Sequence, residues 1–164
     1  MWHFTPIHSW RAYVPLSDKG GPVAFVENLG ISFTRSERDV VEGIMPITPE
    51  VHQPHGFLHG GATISFLESL ASKGAENNTD FSKELPFGID IHIRHRKSGK
   101  SGILHGSATL SHQEDGKQFW YCVAFDDDGD VISEGEILTK IVPLSRLEEK
   151  RREREVQKIS KSSQ

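Results

Sequence analysis

The chain has 164 residues, 19 Lys and Arg against 23 Asp and Glu, a formal net charge of −4 and one cysteine. That length fits a single domain with a sizeable core. No apolar run is long enough to span a bilayer, the acidic balance offers no general attraction to nucleic acid, and the lone Cys122 cannot close an internal disulfide, all in keeping with a reducing cytoplasm.

The first residues, Met1-Trp2-His3-Phe4, lack the basic and apolar regions of a signal peptide. Residues 1–28 are poorly periodic; Trp2, Trp10 and Tyr13 predict an arm that packs down, broken by Pro15 and Gly20-Gly21-Pro22. Ile31 to Thr34 and Val40 to Ile47 read as two strands, with Ser36-Glu37-Arg38-Asp39 as the polar turn between them. A helix is predicted over 60–76, ended by Asn77-Asn78-Thr79-Asp80. It is apolar on most sides, but Gly61, Ser65, Glu68 and Ser72 recur at helical spacing on one face. No Lys or Arg stands four residues from Glu68. A carboxylate set in a sparsely solvated stripe without a partner is costly, which marks Glu68 as a chemical residue rather than a structural one.

Four strands follow, read as an antiparallel meander. Ile89, Ile91 and Ile93 alternate with Asp90, His92 and Arg94, and His95 shares the parity of the isoleucines, so it should face the helix unless a bulge intervenes. Ser98 to Gly102 turns into the alternation Leu104, Gly106, Ala108, Leu110. Asp115-Gly116 is a hairpin signal. Phe119, Tyr121, Val123 and Phe125 read as the next strand's inward face, with Cys122 as a buried thiol. Asp128-Gly129 turns into a last strand over 131–142. From Ser145 the chain is densely charged; Glu148 and Arg152 suit helical pairing. Without interleaved aromatics it reads as a solvated helix fraying into Ser160–Gln164 rather than an RNA-binding tail. One helix must lie across one face of such a sheet for both to bury their apolar sides, an α+β arrangement. The domain bounds are an arm over 1–28, a core domain over 29–143 and a charged helix or tail over 144–164.

The order ββαββββ, with Leu29-Gly30-Ile31, Gln53, His59-Gly60-Gly61-Ala62, Glu68-Ser69, Ser72 and a strand ending at His95, resembles the hot-dog fold: a six-stranded antiparallel sheet wrapped around one long central helix. It is most similar to acyl-CoA thioesterases of the 4-hydroxybenzoyl-CoA thioesterase superfamily, in the subgroup with Glu in the helix, which includes the hydroxybenzoyl-CoA and dihydroxynaphthoyl-CoA enzymes. The resemblance runs from about Leu29 to Val142. It implies that Gln53 and His59 orient the thioester and assist the leaving thiolate, that His95 lines the acyl end of the pocket, and that sites are built across a homodimer, usually within a homotetramer. The family strand often carries Asn before its histidine and Pro after; Arg94-His95-Arg96-Lys97 departs from that.

Thioester hydrolysis needs a polarised carbonyl and a nucleophile or base. The Gly60 amide, at a helix start, is the candidate oxyanion donor, and Gly61 shapes the turn. Glu68 would attack the carbonyl or activate water; Ser72 would bond the carboxylate or the water, or only ease packing. Gly60 and Glu68 are about 12 Å apart along one helix at 1.5 Å per residue, so one carbonyl reaches both only if two subunits contribute. Phe57 and Leu58 offer an apolar wall. Arg94 and Arg96, with Lys97 and Lys100, form the basic run that would meet coenzyme A phosphates. His52, His55 and His59 lie in a loop with no Cys or carboxylate among them, a poor metal set, so neither a metal nor a cofactor beyond the substrate's own coenzyme A is expected. The rival readings are an acyl-CoA or acyl-carrier-protein hydratase or dehydratase using His59 and Glu68, and a non-catalytic acyl-CoA binding module, which would be favoured if Glu68 were paired and inaccessible.

Overall fold

A computed structural model describes residues 24–162, with side chains to residue 158. The arm expected over 1–28 therefore falls largely outside the described residues; its end is a short helix α1, Phe25–Asn28. Six strands follow: β1 Ser32–Ser36, β2 Val40–Pro46, β3 Glu84–His95, β4 Ile103–Glu114, β5 Lys117–Phe125 and β6 Val131–Pro143. The long helix α2 is Gly60–Asn77, and a charged helix α3, Leu144–Ser162, closes the described chain. None of these helices is long and apolar enough to cross a membrane.

The six strands form one antiparallel sheet in the order β1-β2-β4-β5-β6-β3. The expected four-strand meander is corrected here: β4, β5 and β6 are consecutive neighbours, but β3 pairs with β6 and lies at the far edge. The length of α2 accounts for this. Its 18 residues span about 27 Å, while β2 and β3 stand four inter-strand gaps apart, about 19 Å. The helix thus carries the chain across the sheet before β3 begins. Two edges remain unpaired, β1 and β3.

The core lies between α2 and the concave sheet face. Phe66, Leu67, Leu70, Ala71 and Ala75 of α2 are fully buried against Val41, Met45, Leu104, Ala108, Trp120, Cys122 and Ile137. Each large side chain there contributes about 1.5–3 kcal/mol of transfer free energy. Helix and sheet come close because a glycine on each makes room for a ring on the other: a Cβ on Gly106 would stand 2.5 Å from Phe66 Cε1, and one on Gly74 would strike the Trp120 ring. Asn77 and Asn78 end the helix by donating to Glu37 O at 2.8 Å and Arg38 O at 2.6 Å in the β1–β2 turn.

That closeness also corrects the reading of β5. Its inward residues are Gln118, Trp120, Cys122 and Ala124; Phe119, Tyr121, Val123 and Phe125 point to the other face, with Tyr121 47% exposed. Small Cys122 and Ala124 fit under α2, and Trp120 reaches Gly74 where the helix leaves room, with Nε1 donating to Thr139 Oγ1 at 3.1 Å. The outward aromatics find other company: His112 stacks on Phe119 at 4.0 Å and the Tyr121 hydroxyl donates to Glu134 at 2.7 Å. In β3, a bulge between Gly88 and Asp90 ejects Ile89, which is 49% exposed, while Ile91 and Ile93 pack on the core as expected. In α3 the helical pair is Arg151 with Glu155 at 3.1 Å, rather than Glu148 with Arg152.

Candidate active site

The loop before α2 is closed by its own hydrogen bonds. Gln53 N–H donates to Phe57 O at 2.8 Å, His55 N–H donates to the Gln53 side-chain oxygen at 2.9 Å, and Gly56 takes φ +78°, a left-handed turn conformation that suits glycine. His59 then caps the helix: its Nδ1 accepts from Gly61 N–H at 2.8 Å, a task more often done by Ser, Thr, Asp or Asn. A neutral His59 bound this way carries its proton on Nε2. The Gly60 N–H has no acceptor among the described residues. It therefore sits at the positive end of α2 as a free donor.

Beside it is a cavity of about 260 Å³, lined by Gln53, Phe57, Leu58, Gly60, Thr63 and His95 among others. His95 faces the helix start, as its parity with Ile91 and Ile93 implied. Its Nε2 is 2.7 Å from where a Gly60 Cβ would be, so the imidazole occupies the space that the glycine leaves. Its Nδ1 is 2.8 Å from Ser133 Oγ, the cross-strand neighbour on β6. Phe57 lies under the Lys100 ammonium, 4.5 Å from ring centroid to Nζ, and Leu58 is buried.

Glu68 is elsewhere. Two turns further along α2 it is half-buried, with no hydrogen bond or ion pair among the described residues. Its Oε1 lies 2.7 Å from where a Cβ on Gly88 would be, under the edge strand β3. Ser65 and Ser69 spend their hydroxyls on the helix backbone, donating to Gly61 O at 2.8 Å and Ser65 O at 2.7 Å. Ser72, half-buried one turn beyond Glu68, has no such partner among the described residues. The structure thus brings Gln53, Phe57, Leu58, Gly60 and His95 together, with His59 and Gly61 flanking Gly60 in the chain, and leaves Glu68 under β3 with Ser72 one turn further along the helix.

The basic run divides. Arg96 Nη2 is paired to Glu134 at 2.8 Å, and the Tyr121 hydroxyl and Arg96 together hold the Glu134 carboxyl below its ordinary range. Lys97 is gripped by Asp130 and Asp126, which push its ammonium pKa upward. Lys100 is over Phe57, and Arg94 is exposed, in no hydrogen bond or ion pair among the described residues but near enough to Glu134 to help lower its carboxyl. Those not held in an ion pair among the described residues are Arg94 and Lys100. Among the described residues no group of three or more His, Cys, Asp or Glu side chains could hold a metal ion.

Sequence reasoning missed Thr63, Gly88 and Ser133. Thr63, one turn after Gly60, was within reach of helical spacing. Gly88 and Ser133 depend on β3 lying beside β6, which no local pattern signals.

A six-stranded antiparallel sheet around a central helix, with a free amide at the helix start and an unpaired carboxylate on its half-buried stripe, defines a hot-dog domain. The family model described as the thioesterase superfamily matches residues 55–133. A proofreading thioesterase, EntH, of Cronobacter turicensis is 34% identical over 104 residues, 63% of this chain and 75% of the relative. A hypothetical protein of Staphylococcus aureus has a solved structure with 30% identity and a TM-score of 0.72, covering 74% of this chain and 100% of that one. A mutant thioesterase of Pseudomonas aeruginosa gives 27% identity and a TM-score of 0.71, covering 74% and 87%. The chain belongs to the thioesterase superfamily, and its enzyme class is that of a hydrolase acting on thioester bonds. The Staphylococcus aureus protein was solved with a glutamate and, separately, a glutamine changed to alanine; those positions are fifteen residues apart, as are Gln53 and Glu68.

Proposed function

We propose that the protein hydrolyses an aromatic or medium-chain acyl-CoA to the free acid and coenzyme A, at sites shared between two copies of the chain. The observation that carries this is the pair of unpartnered groups on α2: the Gly60 N–H at its start and the Glu68 carboxylate two turns on. Each suits one half of the reaction. The amide N–H would hold the thioester oxygen as it gains negative charge. The carboxylate would attack the carbonyl carbon, expelling the thiolate and leaving a mixed anhydride for water to cleave, or would take a proton from an attacking water. Gln53 and His59 would orient the thioester, with the His59 Nε2–H close to the departing sulfur. Ser72 would bond the carboxylate or the water. The apolar wall of Phe57, Leu58 and Ile132 suits an acyl or aryl group, and no metal or further cofactor has a part in this scheme.

Distance supports the dimer. About 12 Å of helix separates the two groups, so a carbonyl bound at one Gly60 needs a second chain's Glu68. The edge strand β3 is twelve residues long and exposes Phe87 at 43% and Ile89 at 49%; such an edge invites pairing with another strand. Glu68 rests against that same strand at Gly88. Pairing of β3 with a second β3 would bring each Glu68 toward the other chain's helix start, giving two equivalent sites, and a tetramer would join two such dimers. The cytoplasm suits an enzyme whose single thiol, Cys122, is free and buried. The unpaired state of Glu68 speaks against the binding-module reading, and the arrangement of Gln53 with Gly60-Gly61 favours hydrolysis over a hydratase.

Complementation tests the shared site. Glu68→Gln disables one half. Gly60→Pro removes the other half's N–H at the first helical position, where the backbone tolerates proline, and its ring also displaces the His95 imidazole beside it. Each variant alone should be inactive. Subunits mixed by denaturation and refolding should regain about a quarter of wild-type activity, since half of the dimers then carry one intact site. Mixtures as inactive as the parents would sink the shared site.

A further inference from the structure

We infer that Ser133 is a positioning residue that fixes the tautomer of His95, turning its Nε2–H toward Gly60 as a second donor to the thioester oxygen. This rests on the thioesterase reading of the Gly60 site and adds a donor to it. Ser133 is wholly buried, and among the described residues its hydroxyl has one partner, His95 Nδ1 at 2.8 Å. A hydroxyl has one hydrogen to give and lone pairs to receive. If Nδ1 carried the proton and donated to Ser133, the serine hydrogen would be left in the core without an acceptor, at a cost that buried donors rarely bear. The satisfied arrangement is the reverse. The Ser133 O–H donates to a bare Nδ1, and the imidazole proton is on Nε2.

Nε2 is the atom that stands 2.7 Å from a notional Gly60 Cβ, at the wall of the cavity beside the free Gly60 N–H. Neither donor has another partner among the described residues. An oxygen bound between them would meet two hydrogens from two different elements, the start of α2 and the end of β3. His95 and Ser133 are direct partners in the β3–β6 ladder, so the backbone register itself holds the pair together. Glycine is required at position 60 for the ring to come this close.

The test uses the full chain labelled with ¹⁵N and follows the His95 ring nitrogens by long-range proton–nitrogen NMR. The resonance is identified by its loss in His95→Gln. Wild type should show a protonated Nε2 and a bare, hydrogen-bonded Nδ1. Ser133→Ala should lose that preference, with kcat on an acyl-CoA falling about tenfold and KM within about twofold, a smaller loss than removal of an oxyanion donor outright. Ser133→Thr, which keeps the hydroxyl, should restore both readouts. A His95 protonated on Nδ1 in wild type would overturn the inference, as would a Ser133→Ala protein with unchanged tautomer and kcat. If wild type cleaves no thioester at all, the hydrolase reading fails, and the NMR result by itself decides whether Ser133 sets the tautomer.

Discussion

Gly88→Ala isolates the placement of the Glu68 carboxylate from its chemistry. The added methyl would begin 2.7 Å from Glu68 Oε1, whereas ordinary contact starts at 3.4 Å, so the carboxylate must retreat by at least about 0.7 Å. Gly88 has no left-handed backbone, so alanine is accommodated there, and in a strand it is favoured over glycine by about 0.5–1 kcal/mol. Against this stands an off-rotamer cost for Glu68 of about 0.5–1.5 kcal/mol. The two nearly cancel, and the melting temperature should move by no more than about 3 °C. Turnover should not be spared: a displacement near 1 Å costs up to about a hundredfold in rate. The expected loss is about 10- to 100-fold, or about 1.4–2.7 kcal/mol of barrier. The assay is steady-state release of coenzyme A from one acyl-CoA, beside a thermal melt. A variant that melts normally and turns over within twofold of wild type would refute the view that the carboxylate works from its position against β3.

Three further outcomes follow from the packing and the charges. Gly74→Ala should destabilise by up to about 2 kcal/mol in urea titration, because overpacking of about 1–3 kcal/mol against the buried Trp120 ring outweighs the roughly 1 kcal/mol that alanine gains in a helix; a more stable variant would contradict the close seating of α2. Asp80 has its carboxyl lowered from 3.8 to about 2, chiefly by the Lys83 hydrogen bond and then by Ser82. A carboxyl depressed on folding stabilises the fold above its unfolded value and loses that contribution as pH falls through the folded one. The gap in melting temperature between wild type and Asp80→Asn should therefore be full above about pH 4 and close toward pH 2, and a gap independent of pH would count against it. Burial pushes the Cys122 thiol up to about 12, so alkylating reagents should label it only after unfolding; stoichiometric labelling of the native protein would show the strand to be open.

What the sequence made legible was local. Gln53, His59-Gly60-Gly61 and Glu68 lie on one loop and one helix, so spacing alone placed them, and the 12 Å argument for two subunits needed only helical rise. The inward histidine was readable from the alternation of Ile91, Ile93 and His95. Illegible features depended on which strands meet. Ser133 acquires its role because β3 pairs with β6, and a meander reading puts β3 beside β4 instead. The inward face of β5 was decided by the narrow space under α2, where Cys122 and Ala124 fit and Phe119 and Tyr121 do not; counting hydrophobicity favoured the wrong alternation. Arg96 and Lys97 looked free until the fold brought Glu134, Asp126 and Asp130 to them from about thirty residues away.

The central claim is that Glu68 performs the chemistry of thioester cleavage, and it is tested most directly by coenzyme A release from aryl- and fatty acyl-CoAs in wild type and Glu68→Gln. The substitution keeps the size of the side chain and removes its charge. The account predicts measurable turnover by wild type and a fall of at least a hundredfold in a variant that still melts like wild type, about 2.7 kcal/mol or more of barrier. Equal turnover by the two proteins would contradict it.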